Sequence, residues 1–328
     1  MKAVFIESYG SPKVLKYAEI EQPAIASNQL LVKVLASSVN PIDWKLRKGM
    51  LKVLSGNKFP IALGFDISGE VVAVGEKVST FKTGDSVYGM VAFPGGAYAE
   101  YAVVEERSLA LKPDNTTYEE AAAIPLAAMT ALQSLRNLGK IQKGQKVLIN
   151  GASGGVGSFA VQIAKVFGAE VTAVCSTKNL EFVKSLGADR AIDYTKQDFT
   201  DFRATSKMAG ADSRPPQALI KYDIVFDAVA SSSLSRCKNI LRPQGIYITT
   251  LPIPGAILDI FLTSFWAGKK AKLIVLKATG VDLAYLKELS EAGKLKAIID
   301  KTYPLAEVAA AHEYSELGRT VGKIAIAI

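Results

Sequence analysis

The sequence predicts an α/β protein in which a doubly wound parallel sheet is joined to a β-rich domain. Three observations predict this fold class. The first part of the chain is rich in short strands, a glycine-rich turn directly follows an apolar strand at 144–157, and apolar strands alternate with helices from Lys146 onward. With 328 residues the chain is long enough for about two domains, each with its own core.

The β-rich part covers residues 1 to about 123. Segment 30–40, LLVKVLASSVN, mixes alternating and continuous apolar residues, and segment 64–89 carries β-rich pieces interrupted by glycines. This composition is typical of a small, strongly bent sheet or a partly open barrel. Over residues 118–138 the pattern becomes helical, and Pro125 is predicted to break or kink the helix.

The next part of the chain alternates strands with helices. Helical segments are predicted at 158–168, in a helix that begins near Val156, and at 179–187, and each ends in a glycine. Continuous apolar strands separated by helices indicate a parallel, doubly wound sheet. The predicted strands cover 146–150, 170–176, 190–194, 222–229, 245–250 and 272–276.

Residues 200–221 are polar and contain a Pro-Pro pair, and we interpret them as a long surface connection. Four further elements are predicted after Leu276. They are a helix at 283–293, a strand at 298–305, a helix at 307–317 and a final strand at 323–328.

The net charge of +8 and the pI near 9.2 favour anionic partners. The positive residues are scattered, and no dense basic block with interleaved aromatic residues is present, so nucleic acid is not an expected partner. We interpret the excess as attraction for a phosphorylated cofactor and for an anionic membrane surface. No apolar run has the length of a membrane span, and the start MKAVFIESYG does not have the pattern of a secretory signal.

Cysteine and histidine are too few for the common zinc sites. The chain has two cysteines, Cys175 and Cys237, and one histidine, His312. A four-cysteine site is excluded, and a catalytic site would need nearly all three residues to converge, so we expect no metal. The cysteines are predicted to be buried packing residues and His312 to lie on a helix surface or at an interface. Two unlinked thiols fit the cytoplasm or another reducing, soluble compartment.

The stretch GQKVLINGASGGVG predicts a dinucleotide site. A strand, a tight turn and a helix that begins near Val156 bring backbone N–H groups and the positive helix end to a pyrophosphate. The pattern departs from G-x-G-x-x-G at Ala152. The alternative is an ordinary turn without a ligand. The glycines of this turn are Gly151, Gly154, Gly155 and Gly157.

The end of the second predicted strand indicates which dinucleotide binds. An acid at this place bonds the ribose 2′-hydroxyl and repels a 2′-phosphate. The sequence here contains no acid, and this favours NADP(H). The alternative, compatible with phosphate binding, is that the hydroxyls cap the next helix and the lysine points to water. The polar residues here are Ser176, Thr177, Lys178 and Asn179.

With these features the whole chain resembles the medium-chain dehydrogenase/reductase superfamily. It is similar to the zinc-free quinone oxidoreductase branch, with zeta-crystallin-like reductases, chloroplast-envelope quinone oxidoreductase homologues and reductases of α,β-unsaturated ketones. Ala152 agrees with this branch. The matching segments are VNPIDWKLRKG (39–49), GFDISGEVVAVG (64–75), KTGDSVYG (82–89), ASGGVG (152–157), KSLGADRAIDY (184–194) and ELGRTVGKIAI (316–326).

The resemblance implies a GroES-like catalytic domain and a Rossmann NADP(H)-binding domain, with cofactor and substrate in the cleft between them. The catalytic domain would comprise residues 1–123 and 278–328, and the Rossmann domain residues 124–277. We also expect a homodimer.

The resemblance also implies roles for individual residues. Asn40 and Lys45 would lie near the nicotinamide and the substrate, and Thr130 would contact the nicotinamide side. Arg319 would close over the cofactor. The alternatives are local caps for Asn40 and Thr130, half-buried packing for Tyr194 and a solvated charge for Arg319. Gly154, Gly155 and Val156 are assigned to the pyrophosphate, and Ser176, Thr177, Lys178, Asn179 and Tyr194 to the 2′-phosphate end.

The expected reaction follows from the shortage of zinc ligands in the sequence. Without a strong Lewis acid we do not expect alcohol oxidation, whereas a quinone or conjugated enone is already electrophilic. Lys45 is the candidate that stabilises the developing oxyanion. The proton is expected from water or a cofactor hydroxyl, because the sequence suggests no histidine or acid for this step.

The leading hypothesis is therefore an NADPH-dependent reductase of quinones or enones. Two alternatives stay open: a non-catalytic, crystallin-like NADPH-binding structural or regulatory protein, and an enoyl-thioester reductase. The apolar stretch 256–266 is a further open question. It is interpreted as packing, a dimer contact or a cleft wall, or alternatively as a peripheral membrane anchor. The anchor would use Phe261, Phe265 and Trp266 together with Lys269, Lys270 and Lys272.

Overall fold

The computed structural model describes residues 1–201, 220–252, 254–264 and 268–328. These residues form two compact units. The first unit contains Met1–Met129 and Lys277–Ile328, and the second contains Thr130–Leu276. The predicted surface connection at 200–221 lies almost wholly outside the described residues.

The described part of the chain contains both strands and helices. The strands are β1 (Lys2–Ile6), β2 (Leu15–Glu19), β3 (Gln29–Val39), β4 (Ile61–Ala62), β5 (Asp66–Val74), β6 (Ser86–Met90), β7 (Tyr101–Glu105), β8 (Leu109–Leu111), β9 (Lys146–Asn150), β10 (Glu170–Cys175), β11 (Arg190–Asp193), β12 (Tyr222–Asp227), β13 (Leu241–Thr249), β14 (Lys270–Leu273), β15 (Ile299–Pro304) and β16 (Lys323–Ala327). The helices are α1 (Pro41–Arg47), α2 (Lys52–Ser55), α3 (Tyr118–Ala122), α4 (Pro125–Leu132), α5 (Gly155–Val166), α6 (Leu180–Ser185), α7 (Leu234–Cys237), α8 (Pro254–Ser264), α9 (Gly280–Glu291) and α10 (Val308–Glu316).

The first unit is built around the long strand β3. Along one edge β3 pairs with β7 and then with β16, and along the other it pairs with β5. The main sheet has the order β15-β16-β3-β5-β6-β8, and β2-β1-β4 form a second, antiparallel sheet. Register shifts between β3 and β5 bend the main sheet, as β-bulges do. Its core packs apolar side chains of β3, β5 and β6, among them Leu30, Val32, Ile67 and Val87.

Because β15 and β16 come from the end of the chain, both ends of the sequence build the first unit. The strand β16 lies between β15 and β3, next to the edge strand of the main sheet. Its residues Ile324, Ala325 and Ile326 are fully or almost fully buried. The predicted final strand therefore forms, and it is an interior strand.

The second unit is a parallel sheet with the order β11-β10-β9-β12-β13-β14. This order reverses direction at β9, which is the arrangement predicted for a doubly wound sheet. The core of the unit includes Leu148, Val174 and Val225 from three neighbouring strands. The carboxyl ends of these strands meet at one edge, where the glycine turn follows β9.

The strand β14 covers Lys270–Leu273, whereas the sequence predicted 272–276. Pairing with β13 sets this range, because Ile246–Thr249 lie opposite Lys270–Leu273. Pro125 separates α3 from α4, so the predicted break at this residue occurs. Pro125 is the first residue of α4. Its missing N–H removes no hydrogen bond there, because the first N–H groups of a helix have no intrahelical partner.

Candidate functional site

The glycine turn after β9 has two positions that accept no side chain. Gly151 has a φ of 76°, and a Cβ there would lie 2.5 Å from Cγ1 of Val229. At Gly157 a Cβ would lie 2.1 Å from the carbonyl oxygen of Gly151 and 2.7 Å from Cα of Ala152. These two glycines let the turn fold tightly against the first turn of α5.

Gly154 is different, because the fold does not require a glycine there. It is the N-cap of α5 and offers no side-chain oxygen to the first helical N–H groups. A Cβ at this position would meet only the oxygen of Gly151, at an ordinary distance of 3.6 Å. Gly154, Gly155 and Val156 are all partly exposed. The uncapped, accessible helix start fits an anionic group such as the pyrophosphate of a dinucleotide.

The second strand end has accessible polar residues beside this turn. Lys178 is exposed, Ser176 is partly exposed, and Tyr194 is 58% exposed, so Tyr194 is not packed in the interior. Because Cys175 of β10 lies opposite Asp193 of β11, these residues follow neighbouring strand ends. They could hold a phosphate at the adenosine end of a dinucleotide.

Thr177 and Asn179 have protein partners at this edge. The hydroxyl of Thr177 donates to the carboxylate of Asp193. The amide of Asn179 donates to the hydroxyl of Ser153 over 3.0 Å and is largely buried. The structure therefore shows both side chains bracing the loop against the sheet and the glycine turn. Their predicted contact with the cofactor stays a prediction.

Asp193 is an acid at this edge of the sheet that does not belong to the predicted site. Besides Thr177, it accepts hydrogen bonds from the hydroxyl and the N–H of Thr195, over 2.7 and 3.0 Å. The hydrogen bond from Thr177 is the main reason that the pKa of Asp193 lies below its usual value. Asp193 ends β11, and the pairing of β11 with β10 places it opposite Cys175. The residues at the end of the second strand alone do not reveal this acid.

In the first unit Asn40 lies between β3 and α1. Its Nδ2 donates to Oδ2 of Asp66 over 2.8 Å, and its Oδ1 accepts from Nζ of Lys323 over 2.5 Å. Only 1% of Asn40 is exposed. The structure thus places this predicted site residue in the interior with both ends of its amide engaged.

Lys45 is partly exposed on the helix that begins after Asn40. Its Nζ lies 5.4 Å from the centre of the Trp44 ring, and burial lowers the pKa of the ammonium. A partly desolvated cation of this kind interacts more strongly with a nearby negative oxygen than a solvated one does.

The two remaining predicted residues differ in burial. Thr130 lies in α4 and is buried. Arg319 is exposed in the segment between α10 and β16. Their roles toward a cofactor stay predictions.

The prediction that His312 lies on a helix surface or at an interface is wrong, because the side chain is fully buried. Its Nε2 lies 3.4 Å from the hydroxyl of Tyr98, and this hydroxyl donates to Oδ2 of Asp43 over 3.0 Å. The position of His312 four residues after the buried Val308 could have revealed its inward face. A buried chain of Asp43, Tyr98 and His312 therefore follows from the fold.

Burial changes the protonation of both ends of this chain. It raises the pKa of Asp43 to about 7, with a smaller contribution in the same direction from Asp66. It lowers the pKa of His312 to about 3, and the Arg47 cation adds to the effect. No histidine or acid was expected for the proton step, yet Asp43 lies two residues before Lys45.

These two pKa shifts predict opposing pH dependences of stability. The stabilising contribution of Asp43 is present below its ordinary pKa of 3.8 and is lost as the pH rises through about 7. That of His312 is present above 6.5 and is lost as the pH falls toward 3. In the wild type the two trends therefore oppose each other between these values.

Single substitutions should separate the two trends. From about pH 4.5 to about pH 6.5, we expect the unfolding free energy of Asp43→Asn to rise relative to wild type, and that of His312→Gln to fall, by at most about 1.4 kcal/mol per pH unit. Denaturant titrations at several pH values measure this. Equal slopes in the two variants would contradict the assigned protonation states.

Both cysteines are buried and unlinked, as the sequence predicts. Burial raises the pKa of Cys175 to about 11 and that of Cys237 to about 12. Among the residues that the structure describes, no group of three or more histidine, cysteine, aspartate or glutamate side chains could hold a metal ion. The expectation of a metal-free protein stays a prediction.

Comparisons with known proteins agree with this arrangement. Residues 26–114 match the alcohol dehydrogenase GroES-like domain, and residues 186–326 match the zinc-binding dehydrogenase family. A chloroplastic quinone oxidoreductase of Triphysaria versicolor is 36% identical over 336 residues, which cover 99% of this chain and 98% of that protein. The chloroplastic NADPH-dependent alkenal/one oxidoreductase of Arabidopsis thaliana is 36% identical over 338 residues, covering 99% of this chain and 79% of that protein.

A solved structure extends the likeness to the fold. The quinone oxidoreductase from Coxiella burnetii has a TM-score of 0.88 and 32% sequence identity to this chain. The superposition covers 100% of this chain and 99% of that one. The glycine turn, the strand order and the buried polar residues of the first unit therefore occur in a chain that is similar to these oxidoreductases over its whole length.

Proposed function

We propose, because the chain belongs to the quinone oxidoreductase branch of the medium-chain dehydrogenase/reductase superfamily, that it is an NADPH-dependent reductase. It transfers hydride to a quinone or to the C=C bond of an α,β-unsaturated ketone or aldehyde. The observation that carries this proposal is the uncapped glycine turn at α5, in a chain whose whole length matches oxidoreductases with these substrates.

The residues of the second unit fit NADPH. The first N–H groups of α5 bind the pyrophosphate, and Gly154 leaves room for it because it has no side chain. Lys178 and Ser176 hold the 2′-phosphate, and Tyr194 lies at the adenosine end. When bound, NADPH supplies the hydride. We assign cofactor binding to the second unit and substrate handling to the first.

Lys45 provides the electrostatic part of the reaction. A quinone or enone is electrophilic by itself, so the protein has to position it and stabilise the charge that develops on its oxygen. The partly desolvated ammonium of Lys45 meets this need. We propose that Asn40, which is buried, acts by fixing the start of the helix that carries Lys45.

Replacing Lys178 tests the choice of cofactor. Lys178→Ala removes a charge-assisted bond worth about 1.5–3 kcal/mol, so NADPH affinity should fall by about ten- to a hundred-fold. NADH has no 2′-phosphate, and its affinity should change little. Fluorescence titration with each cofactor measures both. Lys184→Ala, on the neighbouring helix α6, is the matched control. Equal losses for NADPH and NADH would show that Lys178 does not contact the phosphate.

The fate of the transferred hydride tests the function itself. With NADPH deuterated at C4, we expect deuterium at the β-carbon of a reduced enone. Deuterium at the carbinol carbon of an allylic alcohol would instead mean carbonyl reduction. The substrates should include simple quinones, short enals and an enoyl thioester. Absence of turnover with all of them would favour a structural or regulatory NADPH-binding protein, and turnover of the thioester alone would favour an acyl-chain reductase.

Two partners of the second unit belong to this proposal, a second copy of the chain and an anionic membrane surface. The exposed side chains of Ile257, Leu258, Phe261 and Leu262 lie on α8. Phe265 and Trp266, also assigned to the membrane contact, lie outside the described residues. Of the helices that the structure describes, none has the length and apolar character needed to cross a bilayer. Sedimentation measures whether two copies of the chain associate. Flotation with anionic vesicles measures binding to a membrane surface, which should be weaker at the higher of two salt concentrations.

The compartment is also part of the proposal. Both thiols are unlinked and buried, which fits the cytoplasm or another reducing compartment.

A further inference from the structure

A buried ion pair lies beneath Asn40 in the first unit. Nζ of Lys323, from β16, lies 3.6 Å from Oδ2 of Asp66, from β5. The two side chains are 4% and 0% exposed. Removing two charges from water is costly, and such a pair persists only where further hydrogen bonds satisfy both partners.

Lys323 has the partners that this requires. Its Nζ donates to Oδ1 of Asn40 over 2.5 Å and to the carbonyl oxygen of Val39 over 3.2 Å. These two acceptors account for two of the three protons of the ammonium, and Oδ2 of Asp66, at 3.6 Å, pairs with the cation electrostatically. The cation is therefore directed at the junction between β3 and α1.

The carboxylate of Asp66 also has hydrogen-bond partners, and one of them belongs to the helix α4. Its Oδ2 accepts from the hydroxyl of Ser38 over 2.6 Å and from Nδ2 of Asn40 over 2.8 Å. Its Oδ1 accepts from the N–H of Leu126 over 2.9 Å. Leu126 follows Pro125, which has no N–H, so this bond holds the first available N–H group of α4.

The two charges fix the orientation of the Asn40 amide. The oxygen of the amide faces the ammonium and its nitrogen faces the carboxylate. A flipped amide would place oxygen against carboxylate and nitrogen against ammonium, so both contacts would become repulsive. Asn40 is the N-cap of α1, the helix that carries Lys45.

We propose that the Asp66–Lys323 pair is a positioning device for the reduction, which holds the starts of α1 and α4 and thereby the location of Lys45. The proposal rests on the proposed function, because the role of Lys45 belongs to it. The competing explanation is that the pair only stabilises the fold. These explanations differ in what they predict once both charges are removed together.

The test compares Lys323→Met, Asp66→Asn and the double variant. Each single variant leaves one buried charge without its partner, so both should unfold at clearly lower temperature than the wild type. The double variant has no uncompensated charge and should recover most of the thermal stability. In this variant the amide oxygen of Asn40 still lacks the ammonium. A positioning role therefore predicts that kcat stays below the wild-type value.

We expect the stable double variant to lose about ten- to a hundred-fold in kcat, as displaced catalytic groups do. Its Kd for NADPH should change less than kcat does, because the glycine turn and Lys178, which are proposed to bind the phosphates, lie in the second unit. Hydrogen exchange should be faster than wild type in peptides that cover α1 and α4. A stable double variant with either wild-type exchange in α1 and α4 or wild-type kcat would overturn the proposal.

Two further variants keep the test decisive. Ser38→Ala removes one hydrogen bond to Asp66 without changing any charge, so it covers the case in which the double variant does not fold. It should lower kcat to a smaller extent and speed exchange in α1, and unchanged values would count against the proposal. Lys165→Met breaks the Lys165–Asp189 pair of the second unit and should leave kcat unchanged.

The exchange measurement also separates the two proposals. If the wild type reduces none of the substrates, the proposed function fails, whereas the exchange of α1 and α4 still reports whether the pair holds these helices. Wild-type exchange in a stable double variant overturns the inference regardless of turnover.

Discussion

Lys45→Ala should lower kcat/KM for a quinone or an enone by roughly ten- to a thousand-fold, the range observed when one electrostatic donor to an oxyanion is lost. The side chain is partly buried, and burial lowers the pKa of its ammonium. Water that replaces the lysine side chain can solvate the developing charge, but it is not preorganised to do so. The loss should therefore appear mainly in the chemical step.

The control for this prediction is cofactor affinity, because Lys45 is also predicted to lie near the nicotinamide. NADPH binding to Lys45→Ala should be titrated separately, so that a binding loss is not counted as a catalytic one. Lys52→Ala removes a nearby lysine from α2 that is exposed, and should leave kcat/KM unchanged. If Lys45→Ala kept the wild-type kcat/KM with unaltered NADPH affinity, Lys45 would have no role in the reaction.

The second large effect is expected for Gly157→Ala. The added methyl group would lie 2.1 Å from the oxygen of Gly151 and 2.7 Å from Cα of Ala152, and neither backbone atom can move without distorting the turn. Overpacking of this kind costs about 1–3 kcal/mol or more. We therefore expect a lower melting temperature and loss of NADPH binding, measured by thermal unfolding and fluorescence titration.

Gly154→Ala is the matched control for this prediction. Its methyl group would meet only ordinary contacts, so the melting temperature should stay close to wild type. NADPH affinity should still fall, because the methyl group enters the space proposed for the pyrophosphate. A Gly157→Ala protein that is stable and binds NADPH normally would refute the assigned turn geometry.

Local patterns were sufficient to predict the second unit in outline. The glycine turn and the apolar strands of the parallel sheet are encoded in consecutive residues, and helix α5 starts at Gly155, one residue before the predicted start. Strand ends were less accurate because pairing sets them. Strand β13 begins at Leu241, whereas the sequence predicted 245, and its partners include Tyr222.

The buried polar groups of the first unit were not predicted, because their partners are far away in the sequence. Tyr98 and His312 are separated by 214 residues, and Asn40 and Lys323 by 283. No local pattern shows that an asparagine after a strand meets a lysine from the other end of the chain. The burial of His312 is an exception, because its spacing of four residues from the buried Val308 places both side chains on one face of α10.

The interior position of β16 also affects the order of folding during synthesis. The strands of the second unit lie within residues 146–273 and leave the ribosome before β16 does. Until β16 emerges, β3 lacks one neighbour and Asp66 lacks its cation, so burying that carboxylate is unfavourable. Domains generally fold as units during translation. We therefore expect the second unit to complete its fold before the first, whose main sheet needs β16 beside β3.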